Sequence, residues 1–188
     1  MKLKSCSTLV PFYLAFLSTS FIPPTQSTLS HTSLLDQICR QSPHYHSCIM
    51  TLQSSIHHRS KDDIAGFAHL ALEIVNAHAS VTFECVTKLY VQNKNLQVNQ
   101  TFESCVALYN MIVKIHLPEA VVAMEKGDYN VAKQKAYVAA IQASSCENTF
   151  SNSNSSSLRD SNRYVYNLCA IIVSIINKLL LPNQPYSS

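Results

Sequence analysis

Glycine is almost absent from this 188-residue sequence. Only Gly66 and Gly127 occur, and no alternating β-branched pattern bounded by turn residues predicts paired strands between them. Apolar residues instead recur every three or four positions, which is the spacing of one buried helical face. The scarcity of glycine also argues against Gly-rich phosphate loops and the Gly-x-Ser-x-Gly turn of hydrolases. The sequence therefore predicts an all-α fold.

The first two long helices are separated by the polar stretch QNKNLQVNQ. The earlier one covers residues 64–89, and Ser60 is its expected N-cap because a serine hydroxyl can accept a hydrogen bond from a first-turn amide. The later one covers residues 101–126. Pro118 should kink or locally break it, since proline has no N–H to donate.

A tight corner is predicted at the end of the second helix. Gly127 suits the left-handed conformation that terminates a helix, and Asp128 can cap the helix that follows. The apolar residues of this third helix are Val131, Tyr137, Val138, Ile141 and Cys146.

The serine and asparagine cluster at residues 151–157 predicts a loop, and the last helix should run from about Asp160 to Leu181, where Pro182 stops it. Residues 32–58 are predicted to form a short helical hairpin. The expected architecture is an antiparallel four-helix bundle over about 60–181, preceded by this N-terminal hairpin and stapled by disulfides.

The first 27 residues have the pattern of a secretory signal peptide. Lys2 and Lys4 precede a short apolar run, and cleavage is expected after Ser27. Removal of this segment leaves residues 28–188 as one domain of 161 residues, with six cysteines and 12 basic against 11 acidic side chains. A chain this close to neutral has no electrostatic footprint for nucleic acid. The apolar runs at 9–21 and 168–181 are too short or too interrupted for a membrane span. The chain is expected to be secreted and monomeric.

The stretch CRQSPHYHSC, from Cys39 to Cys48, contains two cysteines and two histidines. Its spacing matches none of the usual zinc patterns, and in a secreted chain an even number of cysteines favours disulfides. We therefore expect a disulfide here, with no metal and no cofactor.

Four further cysteines remain in the mature chain. Cys105 and Cys146 lie on arms of similar length on either side of the corner at Gly127, so they can bond without distorting either helix. Cys85 and Cys169 are interpreted either as buried free thiols or as a third bridge between helices.

No set of residues with the spacing of a catalytic site is present, and the sequence predicts that the protein is not an enzyme. The adjacent acids Asp62 and Asp63 point in different directions on a helix start and cannot face one substrate together. Two sequons, at Asn99 and Asn154, are compatible with glycosylation.

Four stretches, ICRQSPHYHSCIMTL, FESCVALY, KGDYNVAKQKAYVAAIQASSCENTF and NLCAIIVSIINKLL, resemble the plant invertase and pectin methylesterase inhibitor family across the mature chain. The resemblance implies disulfides from Cys39 to Cys48 and from Cys105 to Cys146. It also implies that Cys169 is usually unpaired, whereas Cys85 lies outside the usual pattern.

Members of this family inhibit cell-wall enzymes by covering the active-site cleft in a one-to-one complex, so the resemblance implies a protein partner, either pectin methylesterase or invertase. Pectin methylesterase inhibitors that resemble this chain often carry acids after the third bridging cysteine, where Ala107, Met111 and Lys114 stand here. Invertase inhibitors often carry Pro-Lys-Phe after the Gly-Asp corner, where residues 129–131 are Tyr-Asn-Val.

The GDYN corner and the pair Ala139 and Ala140 slightly favour inhibition of pectin methylesterase; inhibition of a cell-wall or vacuolar invertase is the alternative. A bundle that binds a small apolar ligand is a remote third interpretation. The expected location is the apoplast, or the vacuole if the target is a vacuolar invertase. The candidate partner contacts are Asn110, Lys114, Lys133, Ser145 and Asn148.

Overall fold

The computed structural model describes residues 34–40, 42–53, 63–93, 95–150 and 158–181, and every regular element within those ranges is a helix. The all-α prediction is therefore confirmed for this part of the chain. Residues 34–39 form α1. The remaining helices are α2 (Tyr45–Gln53), α3 (Ile64–Gln92), α4 (Leu96–Met111), a π-helical turn (Ile112–His116), α5 (Leu117–Glu125), α6 (Tyr129–Asn148) and α7 (Arg159–Leu180).

Helices α4 and α5 and the π turn between them form one continuous rod. This rod packs against α3 on one side and α6 on the other, while α7 packs against both α3 and α6. Helices α3 and α6 therefore lie diagonally opposite each other in a four-helix bundle. The N-terminal hairpin, defined as residues 34–53, contacts the bundle through α3 and α7.

The start of α3 differs from the sequence prediction. The helix begins at Ile64, and its N-cap is Asp63, whose carboxylate accepts a hydrogen bond from the Gly66 amide at 2.6 Å. Ser60, the predicted cap, lies outside the described residues and three positions before the observed one. Aspartate is the better N-cap here because its charge also interacts favourably with the positive end of the helix dipole.

The second predicted helix also starts earlier than expected, at Leu96 instead of Thr101. The Asn95 side chain accepts a hydrogen bond from the Val98 amide at 3.3 Å and so caps the added turn. Pro118 was expected to kink or break the helix, and the structure instead contains a π turn immediately before it. The chain continues as a helix on both sides of that turn.

The corner after α5 is confirmed. Gly127 has a φ of 74°, in the left-handed region that glycine adopts without steric cost. The Asp128 carboxylate accepts a hydrogen bond from the Val131 amide at 3.2 Å and caps α6. Helix α7 begins and ends within one residue of its predicted bounds. The predicted loop at 151–157 lies outside the described residues.

The core is one continuous apolar cluster shared by the bundle helices and the N-terminal hairpin. By length and composition, three stretches could cross a bilayer: Ile64–Gln92, Val98–Glu125 and Arg159–Leu180. In the structure the buried residues of these three stretches belong to the shared core. The buried side chains of α7 illustrate the stripe: Val165, Leu168, Cys169, Ile171, Ile172, Ile175 and Ile176.

Two disulfides join described cysteines. Cys39 bonds to Cys48 with a Cα–Cα distance of 5.6 Å, and Cys105 bonds to Cys146 with a Cα–Cα distance of 4.8 Å. Cys169 is a free, buried thiol, and burial raises its pKa to about 12. The alternative bridge between Cys85 and Cys169 is therefore not formed. The interpretation of Cys85 as a buried free thiol is also wrong, because Cys85 is disulfide-bonded and half-buried.

Candidate functional site

Helices α4, α5 and α6 form an antiparallel unit, which we call the central hairpin (residues 96–148). The disulfide from Cys105 to Cys146 ties its open end. The corner at Gly127 and Asp128 closes the other end. Between them an ion pair joins Lys135 of α6 to Glu119 of α5. Three separate constraints thus hold the two arms in one register.

The π turn explains how a proline is accommodated inside one arm. Pro118 cannot donate the backbone hydrogen bond that an α-helix would direct to residue 114. The Leu117 amide instead bonds to the Ile112 carbonyl, five residues back, which is the π-helical pattern. Lys114 lies within this turn and is exposed.

His116 lies at the end of the same turn, against α6. Both of its ring nitrogens are buried, and neither has a hydrogen-bond partner among the described residues. Burial lowers the pKa of this imidazole, and the nearby Lys135 ammonium lowers it further, while Glu119 acts in the opposite direction. The neutral form of His116 is therefore favoured beside the ion pair that joins the two arms.

A buried polar network supports the open end of the central hairpin. The Tyr109 hydroxyl donates to Asn162 Oδ1 at 2.8 Å, and Asn162 Nδ2 donates to Glu147 Oε2 at 2.9 Å. Arg159 Nε donates to the other oxygen of Glu147 at 3.1 Å. Burial raises the pKa of Tyr109, so its hydroxyl stays protonated and remains a donor. This network joins α4, α6 and α7, and no pattern in the sequence predicts it.

The predicted partner contacts do not all share one face. Asn110, Lys114 and Asn148 are exposed, whereas Lys133 and Ser145 are half-buried. Lys133 precedes Lys135 by two residues, so the two side chains point about 200° apart. Because Lys135 faces α5, Lys133 faces the α7 side instead.

The register of the central hairpin shows which outer residues lie at the same level. An antiparallel arrangement between the Cys105–Cys146 bond and the Lys135–Glu119 pair places Met111 at about the level of Ile141. The same register places Lys114 near the level of Tyr137. All four side chains are exposed, but they do not share one face. Tyr137 follows Lys135 by two residues and therefore points about 200° away from the α5 side.

The core side of α6 was not correctly anticipated by the apolar pattern of its sequence. The predicted apolar set included Tyr137 and Ile141, but these side chains are 57% and 45% exposed. Alanines at helical spacing fill the buried face instead, and this spacing was the signal available in the sequence. They are Ala132, Ala136, Ala139, Ala140 and Ala143.

A groove of about 380 Å³ lies next to the corner, between α5 and α6. Valines and an alanine form its apolar part, and charged side chains stand at its edges. Its lining residues are Pro118, Glu119, Val122, Ala123, Lys126, Asp128 and Val131.

The described residues also bear on metal binding and on sugar attachment. Within the described ranges, no group of three or more His, Cys, Asp or Glu side chains could hold a metal ion. Asn99 of the first sequon lies in the first turn of α4 and is half-buried. Asn154 lies outside the described residues. Glycosylation at both sites stays a prediction.

Comparison with known proteins gives concordant results. A family profile described as plant invertase/pectin methylesterase inhibitor matches residues 33–175. An Arabidopsis thaliana protein named cell wall / vacuolar inhibitor of fructosidase 1 is 25% identical over 125 residues, which is 66% of this chain and 60% of that relative.

Two solved structures from Arabidopsis share the fold. One is a mutant form of a pectin methylesterase inhibitor, with a TM-score of 0.70, 21% identity, and coverage of 80% of this chain and 98% of the other. The second is a pectin methylesterase inhibitor with a TM-score of 0.61, 21% identity, and coverage of 81% and 99%.

Proposed function

The chain belongs to the plant invertase/pectin methylesterase inhibitor family, and from this premise we propose that it inhibits a pectin methylesterase by forming a one-to-one complex. Proteins of this family inhibit enzymes and are not enzymes themselves, so the partner is a cell-wall enzyme. The observation that carries the proposal is the central hairpin, a rigid pair of arms with an exposed outer face. The Gly-Asp corner followed by Tyr129, without Pro-Lys-Phe, supports pectin methylesterase as the first target to test.

The proposed mechanism is steric. The outer face of the central hairpin would cover the substrate cleft, with Asn110, Lys114 and Asn148 as direct polar contacts. Lys133 and Ser145 are proposed to contact the edges of the same cleft, because both are half-buried at the sides of α6. Any one of these residues is expected to contribute little, since few interface residues carry most of the binding energy.

The three constraints on the central hairpin support tight binding. An interface that is already ordered loses less conformational entropy when the complex forms. The disulfide from Cys105 to Cys146, the Lys135–Glu119 pair and the Gly127 corner all act before the partner arrives. The arms therefore need no folding step on binding.

The test uses purified, oxidised residues 28–188. Methanol release from methylated pectin is followed with several plant pectin methylesterases across acidic to neutral pH, and complex formation is followed by size exclusion with light scattering. We expect slower methanol release and a complex with the summed mass of one copy of each protein. Undiminished rates at excess inhibitor would exclude this activity for the enzymes tested.

A second candidate is inhibition of an invertase. The observation that favours it is the match to the fructosidase inhibitor, which covers 60% of that relative's length. Moreover, Ala139 and Ala140 are buried in the core, so this pair reports on helix packing and gives no contact that would favour the esterase. Sucrose hydrolysis by cell-wall and vacuolar invertases, with the same protein preparation, distinguishes the two candidates.

The proposed location follows from the predicted signal peptide. Residues 1–27 lie outside the described residues, and we propose that they direct the chain into the secretory pathway and are removed after Ser27. Expression of the full chain in plant cells, followed by mass spectrometry of the apoplastic fluid, tests this. A mature N-terminus at Thr28 is expected, and retention of Met1 in the recovered protein would contradict the proposal.

A further inference from the structure

The short helix α5 has a histidine near each of its ends, and the two histidines face different neighbours. In its first turn, Glu119 pairs with Lys135 of α6. Its last residue, Glu125, follows six positions later, so its side chain points about 240° further around the helix and faces His69 of α3. His116 immediately precedes α5 at the end of the π turn. One end of α5 is therefore attached to α6 and the other end to α3.

A proton is unfavourable at His116. Both ring nitrogens are buried without a hydrogen-bond partner in the described part of the chain, so a second N–H has no acceptor in place. The charges that act on the ring are Lys135 of α6 and Glu119 of α5. Lys135 repels a protonated ring, and Glu119 is already paired with Lys135. A protonated His116 therefore competes with Lys135 for the carboxylate that joins the two arms.

A proton is favourable at His69. Its Nδ1 lies 3.4 Å from Glu73 Oε1 on the same helix, and its Nε2 lies 3.8 Å from Glu125 Oε1 on α5. A neutral imidazole carries one N–H, whereas the protonated ring carries two. Only the protonated ring can therefore form an ion pair with both carboxylates. Protonation of His69 strengthens the contact between α3 and the end of α5 next to the corner.

The π turn is the point at which α5 can move. The Leu117 amide bonds to the Ile112 carbonyl, five residues back, and Pro118 has no amide to donate. Backbone hydrogen bonding is therefore reduced at this point of the rod. Single π turns inside α-helices are rare and occur frequently at functional sites. His116 lies within this turn, so a change in its charge acts directly on it.

We propose that protonation of His116 releases the π-turn end of α5 from α6, while protonated His69 retains the corner end of α5 on α3. Histidine changes its charge between about pH 5 and pH 8. The central hairpin thus contains a hinge that opens in acid and a contact that keeps the opening local. The hinge acts in the free protein, so its test does not depend on the proposed function.

The sign of the pH dependence follows from the closed state. Burial lowers the pKa of His116 below its ordinary value of 6.5, so below pH 6.5 the open state binds more protons at this residue than the closed state. The free energy of opening therefore falls as the pH is lowered. The equilibrium constant for opening rises by at most about tenfold per pH unit for one histidine. The Leu117 amide reports this opening, because its hydrogen bond to Ile112 lies within the turn.

The experiment measures amide hydrogen exchange by NMR in the purified, oxidised protein between about pH 6.5 and pH 5. Observed rates are divided into the intrinsic rates at each pH to give protection factors. Leu117 reports the hinge, and Glu125 reports the corner end of α5. Ile172, which is buried in α7, reports global unfolding.

Two variants separate the two histidines. His116→Phe keeps an aromatic ring and removes its titration, and His69→Gln keeps a polar side chain that cannot become charged. The same two replacements at His46, which is exposed on α2, are the matched controls. Circular dichroism checks that each variant folds.

In the wild type, the protection factor of Leu117 is expected to fall by about tenfold over this pH range, beyond any change at Ile172. In His116→Phe it should change by less than about twofold, because the titrating group is gone. In His69→Gln, the Glu125 amide should also lose about threefold in acid, as suits a partly exposed ion pair. Both His46 variants should behave as the wild type.

A second measurement needs no variant. The His116 ring protons and the Leu117 amide should titrate with one shared midpoint below pH 6.5 in the wild type. Different midpoints, or a Leu117 protection factor that falls no more than that of Ile172, overturn the hinge. An equal fall in His116→Phe also overturns it. If Glu125 is as protected in His69→Gln as in the wild type, α3 does not retain α5 and that half of the inference is wrong.

Discussion

The N-terminal hairpin and the central hairpin are both helical hairpins closed by a disulfide, but they are stabilised differently. The N-terminal one is short, and its polar contacts are at the surface. The Asp36 carboxylate accepts hydrogen bonds from the Tyr45 hydroxyl at 2.8 Å and from Arg40 Nε at 2.7 Å. The central one has arms of 16 residues or more in which buried apolar stripes and a buried polar network act together.

The difference shows what each disulfide contributes. In the N-terminal hairpin, the disulfide stabilises two helices that are too short to be stable alone. Its attachment to the bundle includes buried Leu35, Ile38 and Leu52 and a hydrogen bond from Lys178 Nζ to the Gln37 carbonyl at 2.9 Å. In the central hairpin, the crosslink fixes the relative position of two arms that already form stable helices. The disulfide from Cys39 to Cys48 therefore keeps the N-terminal hairpin folded, and the disulfide from Cys105 to Cys146 orients the proposed binding face.

The largest expected effect is the loss of the crosslink in the central hairpin. The Cys105→Ala/Cys146→Ala variant opens a loop of 41 residues in sequence separation, which in the loop-entropy account destabilises the fold by about 4 kcal/mol. The Cys39→Ala/Cys48→Ala variant opens a separation of nine residues and should cost about 2.7 kcal/mol. Denaturant unfolding, monitored by circular dichroism, measures both.

Binding sharpens this first comparison. If the central hairpin is the partner-binding element, loss of its disulfide should weaken enzyme inhibition by more than the unfolded fraction of the variant accounts for. Loss of the disulfide from Cys39 to Cys48 should leave inhibition by the folded fraction unchanged. The reverse order of effects on inhibition would contradict the assignment of the face to α4, α5 and α6.

The buried polar network should give the next largest effect. Asn162→Leu removes the partner of the Tyr109 hydroxyl and one partner of Glu147. Leaving buried polar groups unsatisfied costs about 1–3 kcal/mol. Asn177→Leu on the exposed side of α7 is the control and should change stability by less than about 0.5 kcal/mol. Equal stability of the two variants would mean that the network is not a determinant of bundle stability.

The sequence predicted the elements whose cause is local. Gly127 and Asp128 specify the corner through backbone conformation and capping, so that prediction needed no knowledge of the rest of the chain. The apolar stripe of α7 was similarly clear. The position of Asp63 as the cap of α3 was missed because serine and aspartate are both good caps and lie three residues apart.

Features that depend on the meeting of distant residues were not predicted. The inward face of α6 was misassigned because tyrosine and isoleucine are usually more informative about burial than alanine. Here α6 packs so close to α7 that alanine side chains fill the buried face. Likewise, nothing in the sequence around Tyr109 indicates that its partner is Asn162, 53 residues later. The π turn required knowing that the helix continues after Pro118.

The pH response should also distinguish the four-helix bundle from the N-terminal hairpin. Burial lowers the pKa of His78 on α3 below its ordinary value of 6.5, and its ring contacts the Tyr164 ring at a centroid distance of 4.2 Å and an interplanar angle of 36°. Below pH 6.5 the unfolded chain therefore binds more protons at this residue than the folded one. The free energy of unfolding should fall as the pH is lowered below 6.5, by at most about 1.4 kcal/mol per pH unit for one histidine.

His78→Phe keeps the ring and removes the titration, so unfolding of this variant should depend less steeply on pH between 6.5 and the lower pKa of the folded state. The same replacement at His46, which is exposed on α2, serves as the control. If the free energy of unfolding of His78→Phe depends on pH as steeply as that of the wild type, the response is assigned to His116, whose pKa is also lowered by burial. That residue lies in the central hairpin, so the response would still belong to the bundle.

The smallest expected effect concerns the surface hydrogen bonds of Asp36 in the N-terminal hairpin. The Tyr45 hydroxyl, with Arg40 beside it, lowers the pKa of Asp36, and Tyr45→Phe should therefore raise that pKa towards 3.8. Because folding lowers this pKa, the carboxylate stabilises the hairpin above the unfolded-state value, and the contribution is lost as the pH falls through the folded-state value. Carbon-13 NMR of the Asp36 carboxyl measures the shift, with Tyr166→Phe on α7 as control. An unmoved Asp36 titration would leave Arg40 as its only effective partner, and the disulfide would then be the main closure of the hairpin.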